Sequence, residues 1–287
     1  MLDVASRRKA CEDTLSRTPA VAASATAQNG KHLDSTFIPK QLPPLDKSNP
    51  LYPGLTRRPI EVHDSDAFAL ALALSPTPTA VPHTTQGGGG PGHGKVDVLN
   101  LASDREPGGG WRYTLSKTQE EALCYSSTLY ATLNPEWYPF PNTGPGSCAG
   151  IVSPNVVVFK DTLDNDLVDL PVEQRHVVTV ITVAAPCWPK LTESREFANP
   201  SQLQDLREKI LLVLRMAAMN GVTTLVLGAM GCGAFGCPPR VVAREMKIAI
   251  QSDEFAGWFE KIAFAVYAGV RSGKKNFDVF TEVFKEA

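Results

Sequence analysis

The sequence lacks any hydrophobic run approaching the roughly 18 consecutive apolar residues that a membrane-spanning helix needs, so no membrane partner is expected. A secretory pattern is missing too. Met1 to Cys11 carries Arg7, Arg8 and Lys9 with no apolar core behind them, and an intracellular location, cytoplasmic or nuclear, is the expectation. The six cysteines (Cys11, Cys124, Cys148, Cys187, Cys232 and Cys237) form no C-x-x-C repeat, which favours reduced thiols over a disulfide framework. The five histidines show no ligand spacing, so neither a zinc site nor a cofactor is expected. Excess charge is also absent, with 28 Lys+Arg against 30 Asp+Glu. The balance is uneven, however: residues 1–58 hold nine Lys/Arg and five Asp/Glu. An arm this weakly basic reads as a solvated extension, and no direct nucleic-acid partner is expected.

What remains is ordinary globular composition, with 43% apolar and 20% charged residues in 287, enough for one large α/β domain plus extensions or for two small domains. Residues 2–16 read as a helix with Val4, Cys11 and Leu15 on one side and Pro19 closing it. From Ala20 to about Gly54 the chain is Ala/Ser/Thr/Pro-rich, an extended wrap or partly disordered arm. Pro59–Val62 suits a short strand, and residues 67–74 a helix capped by Asp64 or Ser65. Residues 75–94 read as a flexible Gly/Pro-rich insertion. Gly89 to Lys95 imitates a P-loop there, but Val96 stands where a magnesium-binding Ser/Thr belongs and a strand pattern follows.

Strand patterns at 95–101, 156–159, 177–185, 222–227 and 262–267 then alternate with helical patterns at 119–133, 203–219, 240–251 and 276–284. Such alternation predicts a mostly parallel α/β sandwich. The expected division is an arm, residues 1–58, and a catalytic domain, residues 59–287.

Two glycine-bearing loops carry the chemical signal. Gly108, Gly109 and Gly110 follow one strand, and eight residues later Gln119, Glu120 and Glu121 open a helix, where carboxylates suit the positive dipole end. A plain glycine loop before a capped helix would show the same spacing. The second loop, Gly231, Cys232, Gly233, Ala234, Phe235 and Gly236, offers unhindered amides ahead of a helix N-terminus, the ingredients of a diphosphate cradle.

Asn100-Leu-Ala-Ser103, Pro107-Gly-Gly-Gly110 and Gln119-Glu-Glu121, in that order, resemble the signature of microbial-type poly(ADP-ribose) glycohydrolases. The likeness spans about residues 95–270, including Ser153-Pro154, Ala184-Ala-Pro186 and Leu227 to Gly233. It implies a macrodomain-like three-layer α/β/α sandwich with a central mixed, mostly parallel sheet and an N-terminal helical or extended extension. It also implies metal-independent glycosidase activity on poly(ADP-ribose), with ADP-ribosylated proteins as partners, ADP-ribose as product, a monomeric state and a part in reversing ADP-ribosylation after DNA damage.

On the same resemblance Glu121 is the acid/base and Glu120 holds ribose hydroxyls. Gln119, Asn100 and Ser103 shape the site, Gly108 to Gly110 line diphosphate and distal ribose, and Phe235 packs over the ribose. Asp64 or Asp66 would meet the adenine amine. The alternatives are a non-catalytic ADP-ribose reader, against which the intact Gln-Glu-Glu speaks, a mono-ADP-ribosyl hydrolase, and a nucleotide-sugar or cyclic-phosphate hydrolase. Two departures stand out: Cys237, where related sequences often carry Asn or His at the cradle's outer edge, and the glycine insertion at 87–94.

Overall fold

The N-terminal helix outruns the proline expected to close it. In the computed structural model, which describes residues 2–29, 32–75, 96–269 and 273–285, α1 spans Val4–Asn29 with Pro19 inside. An interior proline removes one hydrogen bond. Five alanines among residues 20–29 and Val21, buried on Val157 and Phe159, offset that loss. Val4, expected inward, is exposed, whereas Cys11 is buried.

The arm then supplies strand β1 (Thr36–Ile38) and runs to β2 (Glu61–His63). Helix α2 (Ala67–Leu74) is capped not by Asp64 or Ser65 but by Asp66, whose carboxylate accepts from Phe68 N and Ala69 N. The expected insertion and its P-loop-like stretch lie, apart from Ser75, outside the described residues.

Strand β3 (Val96–Leu101) leads to α3 (Gln119–Ser126), which stops seven residues before the expected Leu133. The hydroxyls of Ser126 and Ser127 turn back onto Ala122 O and Leu123 O, and Thr128 N donates to Val157 O. Local side-chain bonds and the neighbouring strand thus outcompete the helix; a separate short 3-10 turn covers Leu129–Thr132. Strand β4 (Gly150–Val158) begins earlier than expected because its register shifts between Ser153 and Val156, a bulge that accommodates Pro154.

The remaining elements are β5 (His176–Val183), α4 (Pro200–Met219), β6 (Thr224–Leu227), α5 (Pro239–Gln251), β7 (Lys261–Ala265) and α6 (Gly273–Phe284). Helix α4 starts three residues before the expected Leu203, with Asn199 as N-cap.

Seven strands form one mixed sheet in the order β1-β4-β5-β3-β6-β7-β2. β1 and β5 flank β4 antiparallel, and the other pairs are parallel. Alternate strand residues face two cores: Val96 and Val98 of β3 pack with α1, α2 and α3, while Leu99 packs with α4, α5 and α6. The result is a three-layer α/β/α sandwich, as the resemblance implies. Among the described residues no helix is long and apolar enough to cross a membrane.

Candidate active site

β3 and β6 are hydrogen-bonded parallel neighbours, so the loops that leave their carboxyl ends, residues 102–118 and 228–238, emerge at one edge of the sheet. Both line a single cavity of about 580 Å³.

The first loop is closed onto the protein's own carboxyls. Gly108 and Gly109 have φ of +69° and +56°. A Cβ at Gly109 would come within 2.8 Å of Glu121 Oε1 and 3.0 Å of Glu120 Oε2, so glycine is needed there for conformation and space alike. Gly110 N donates to Glu121 Oε1 at 2.9 Å, and the Thr118 hydroxyl donates to Glu121 Oε2. Thr118-x-x-Glu121 has the spelling of a capping box, in which the hydroxyl would bind a helix amide. Here the hydroxyl holds the carboxylate instead, and Thr118 makes no side-chain cap bond.

Glu120 is held differently. Its Oε2 accepts from Ser103 N at 2.7 Å, and its Oε1 from Asn100 Nδ2 at 3.2 Å. Asn100 is fully buried on β3 beside its β5 partner Thr182, to whose hydroxyl the same amide donates. Burial pushes the Glu120 carboxyl up to about 8, the adjacent Glu121 charge adding to the rise and the Ser103 amide opposing it. Gln119 acts on the scaffold: its amide donates to Leu99 O and accepts from Leu101 N, closing the β3 edge where β6 no longer pairs.

The arm reinforces this loop. Arg7 Nε donates to Leu115 O at 2.7 Å, where Leu115 is buried with φ +54°, and the Thr14 hydroxyl donates to Tyr125 O at the far end of α3.

The second loop is held from behind and left open in front. Cys237 N donates to Gly231 O, Gly236 N to Gly233 O, and Asn276 Nδ2 of α6 to Cys232 O. Among the described residues the amides of Gly233, Ala234 and Phe235 have no protein acceptor. A Cβ at Gly233 would meet nothing within 4 Å. Cys237 does not form an outer edge: it is buried beneath the loop, its thiol donating to Pro186 O, and burial pushes that thiol up to about 12.

Of the residues singled out in sequence, Gln119, Glu120, Glu121, Ser103, Gly109 and Gly110 line the cavity from the first loop and α3. Gly231, Gly233, Ala234 and Phe235 line it from the second. Asn100 stands behind Glu120, Gly108 against the Trp111 ring, Cys232 is turned inward, and Gly236 lies beside Trp188. At the far end Asp66 lines the cavity, whereas Asp64 is exposed and accepts from Ala268 N. Sequence reasoning missed Thr118, Arg105, Lys117 and Tyr267 among the lining residues. Only Thr118 left a trace, in the capping-box spelling.

Fold and cleft define the class: an α/β/α sandwich with a cavity at the carboxyl ends of parallel strands, lined by a carboxyl pair on one side and an open glycine loop on the other. The family model "Microbial-type PARG, catalytic domain" matches residues 9–161, just over half of the sequence, and the chain belongs to that family. The match takes in both carboxyls and stops short of the second loop.

Solved structures extend the likeness. Poly(ADP-ribose) glycohydrolase (PARG) from Thermomonospora curvata is 28% identical with a TM-score of 0.71, over 97% of this chain and 99% of that one. The same protein bound to the inhibitor ADP-HPD is 27% identical with a TM-score of 0.70, over 96% and 98%. The Deinococcus radiodurans glycohydrolase in complex with ADP-ribose is 27% identical with a TM-score of 0.67, over 93% and 97%. No curated protein sequence matches.

Proposed function

We propose that this member of the glycohydrolase family hydrolyses the ribose–ribose O-glycosidic bonds of poly(ADP-ribose) and releases ADP-ribose, with Glu121 as the acid/base. The supporting observation is that one cavity is lined both by the carboxyl pair and by Gly233, Ala234 and Phe235, whose amides have no acceptor among the described residues. A diphosphate takes the amides of the second loop. That leaves the distal ribose above β3, at the carboxyls.

Adjacent helix residues point about 100° apart and cannot flank a sugar as the usual carboxylate pair does. The two groups therefore divide the work. Glu121, reached by Thr118 and Gly110, gives its proton to the leaving ribose oxygen as the anomeric C–O bond breaks. Water adds to the oxocarbenium-like carbon and returns a proton to the carboxylate. Glu120, fixed by Ser103 and Asn100, accepts from the ribose hydroxyls. Residues 1–58 serve the catalytic domain, residues 59–287, as a brace, because Arg7 and Thr14 hold the two ends of the segment that bears the carboxyls.

Glu121→Gln should keep ADP-ribose binding and lose turnover by roughly 10²–10⁴. Polymer hydrolysis followed by chromatography of released ADP-ribose, with calorimetric binding alongside, checks both halves. A variant that hydrolyses polymer at the parent rate removes Glu121 from the role.

A further inference from the structure

On the proposed placement of diphosphate and ribose, the strand order gives the direction in which a bound polymer leaves the cleft. Carboxyls stand above β3 and amides above β6, while Asp66 and Tyr267 stand beyond β2 and β7. With the diphosphate on the amides, the bound unit's adenosine runs toward β7. The far side of the scissile bond therefore faces the end of β5.

At that end stands Trp188, 74% exposed and the most exposed large apolar side chain among the described residues. It is not loosely placed. Its backbone has φ +52°, a left-handed conformation that a bulky residue adopts only when held. Trp188 N donates to Phe235 O at 2.8 Å, joining it to a residue that lines the cavity. Its ring lies along Gly236, where a Cβ would touch it at 3.4 Å. The segment leading to it is pinned by Asn142, which donates to Ala185 O and accepts from Cys187 N.

Arg105 lines the same cavity as Phe235, the residue to which Trp188 is bonded. Among the described residues the exposed Arg105 guanidinium has no hydrogen bond or ion pair. None of the proposed catalytic steps uses either side chain.

In poly(ADP-ribose) the leaving oxygen is a hydroxyl of the next unit's adenosine ribose, so an adenine hangs one sugar away from the bond that breaks. We infer that Trp188 is a stacking platform for the adenine of the leaving unit, with Arg105 beside it for that unit's diphosphate. The inference rests on the proposed function and adds a second subsite, one that favours polymer over an isolated ADP-ribose group. Base stacking on an aromatic ring and a guanidinium fork on phosphate supply the recognition.

The test is binding to the Glu121→Gln protein, measured by calorimetry with ADP-ribose and with its ribose-linked dimer. The dimer should bind more tightly. Trp188→Ala should raise the dimer Kd roughly 10-fold and leave the ADP-ribose Kd within about 2-fold, while Trp188→Phe should recover most of the loss. Arg105→Gln should weaken the dimer and flatten its salt dependence.

Equal weakening of both ligands by Trp188→Ala would make the ring a mere support for Phe235 and overturn the platform, as would no effect on the dimer. A Glu121→Gln protein that binds neither ligand would instead defeat the reading of the cleft itself.

Discussion

In the first loop a Cβ at Gly109 would strike both carboxyls, whereas in the second a Cβ at Gly233 would meet open space. The same residue type thus answers two demands. Around Gly109 the protein fills the room that glycine leaves, and the loop mounts reactive groups: Gly110 N is taken by Glu121 and Ser103 N by Glu120. Around Gly233 the room stays empty, and among the described residues the amides of Gly233, Ala234 and Phe235 have no acceptor. A glycine-rich motif in sequence therefore does not say whether its backbone approaches a ligand or its own protein. The partners of the amides distinguish the two cases.

The largest effect should come from breaking the closed loop. Gly109→Ala combines a left-handed φ with a Cβ inside van der Waals contact of buried carboxyls. A loss of about 2–4 kcal/mol of stability is expected, and a fall in rate of roughly 10² or more as the carboxyls are displaced. Urea unfolding and steady-state hydrolysis measure the two. A Gly109→Ala protein with parental stability and rate would show that this loop is no mount.

A second difference is electrical. The first loop abuts a carboxyl that burial lifts to about 8, while residues 228–238 contain no carboxyl. Because the folded value lies above the unfolded one, near 4.5, Glu120 costs no stability below pH 4.5. Stability is lost progressively as pH climbs from about 4.5 to about 8 and changes no further above that. Across that window the loss is on the order of a few kcal/mol. Glu120→Gln should flatten the slope, read as unfolding midpoint against pH; parallel curves for parent and variant would contradict the assigned burial cost.

Much of this contrast was readable without coordinates, because hydrophobic periodicity is local. The strands at 95–101 and 222–227, the glycines after them and the carboxyls at the start of a helix stand close to where the pattern puts them. What the sequence hides depends on partners far along the chain. Arg7 reaches Leu115 across 108 residues, a contact that no spacing rule foresees. Helix α3 ends at Ser126 because Val157 takes the backbone, and α1 passes Pro19 because Val21 finds a buried seat on β4. Thr118 precedes α3 in a capping-box spelling, but its hydroxyl donates to Glu121, whose carboxylate is buried beside it, and not to a helix amide.

The smallest change sharpens the comparison most, because it separates folding from binding at one atom. Gly233 does not have the positive φ of Gly231 and Gly236, and its added Cβ has no neighbour. Gly233→Ala should therefore leave the unfolding midpoint within a degree or two of the parent, since neither strain nor overlap opposes it. If the loop cradles a diphosphate, the methyl occupies space that the ligand's oxygens need at close approach. The cost falls on binding alone, a rise in KM of roughly 10-fold with kcat little changed, because the reacting centre lies at the other loop. An unchanged KM would mean that the amides of 233–235 face a ligand at no closer than a methyl's distance, and the cradle would have to be sought elsewhere on the cavity wall. A lowered midpoint with unchanged KM would reverse the comparison and make Gly233, like Gly109, a residue required by the fold.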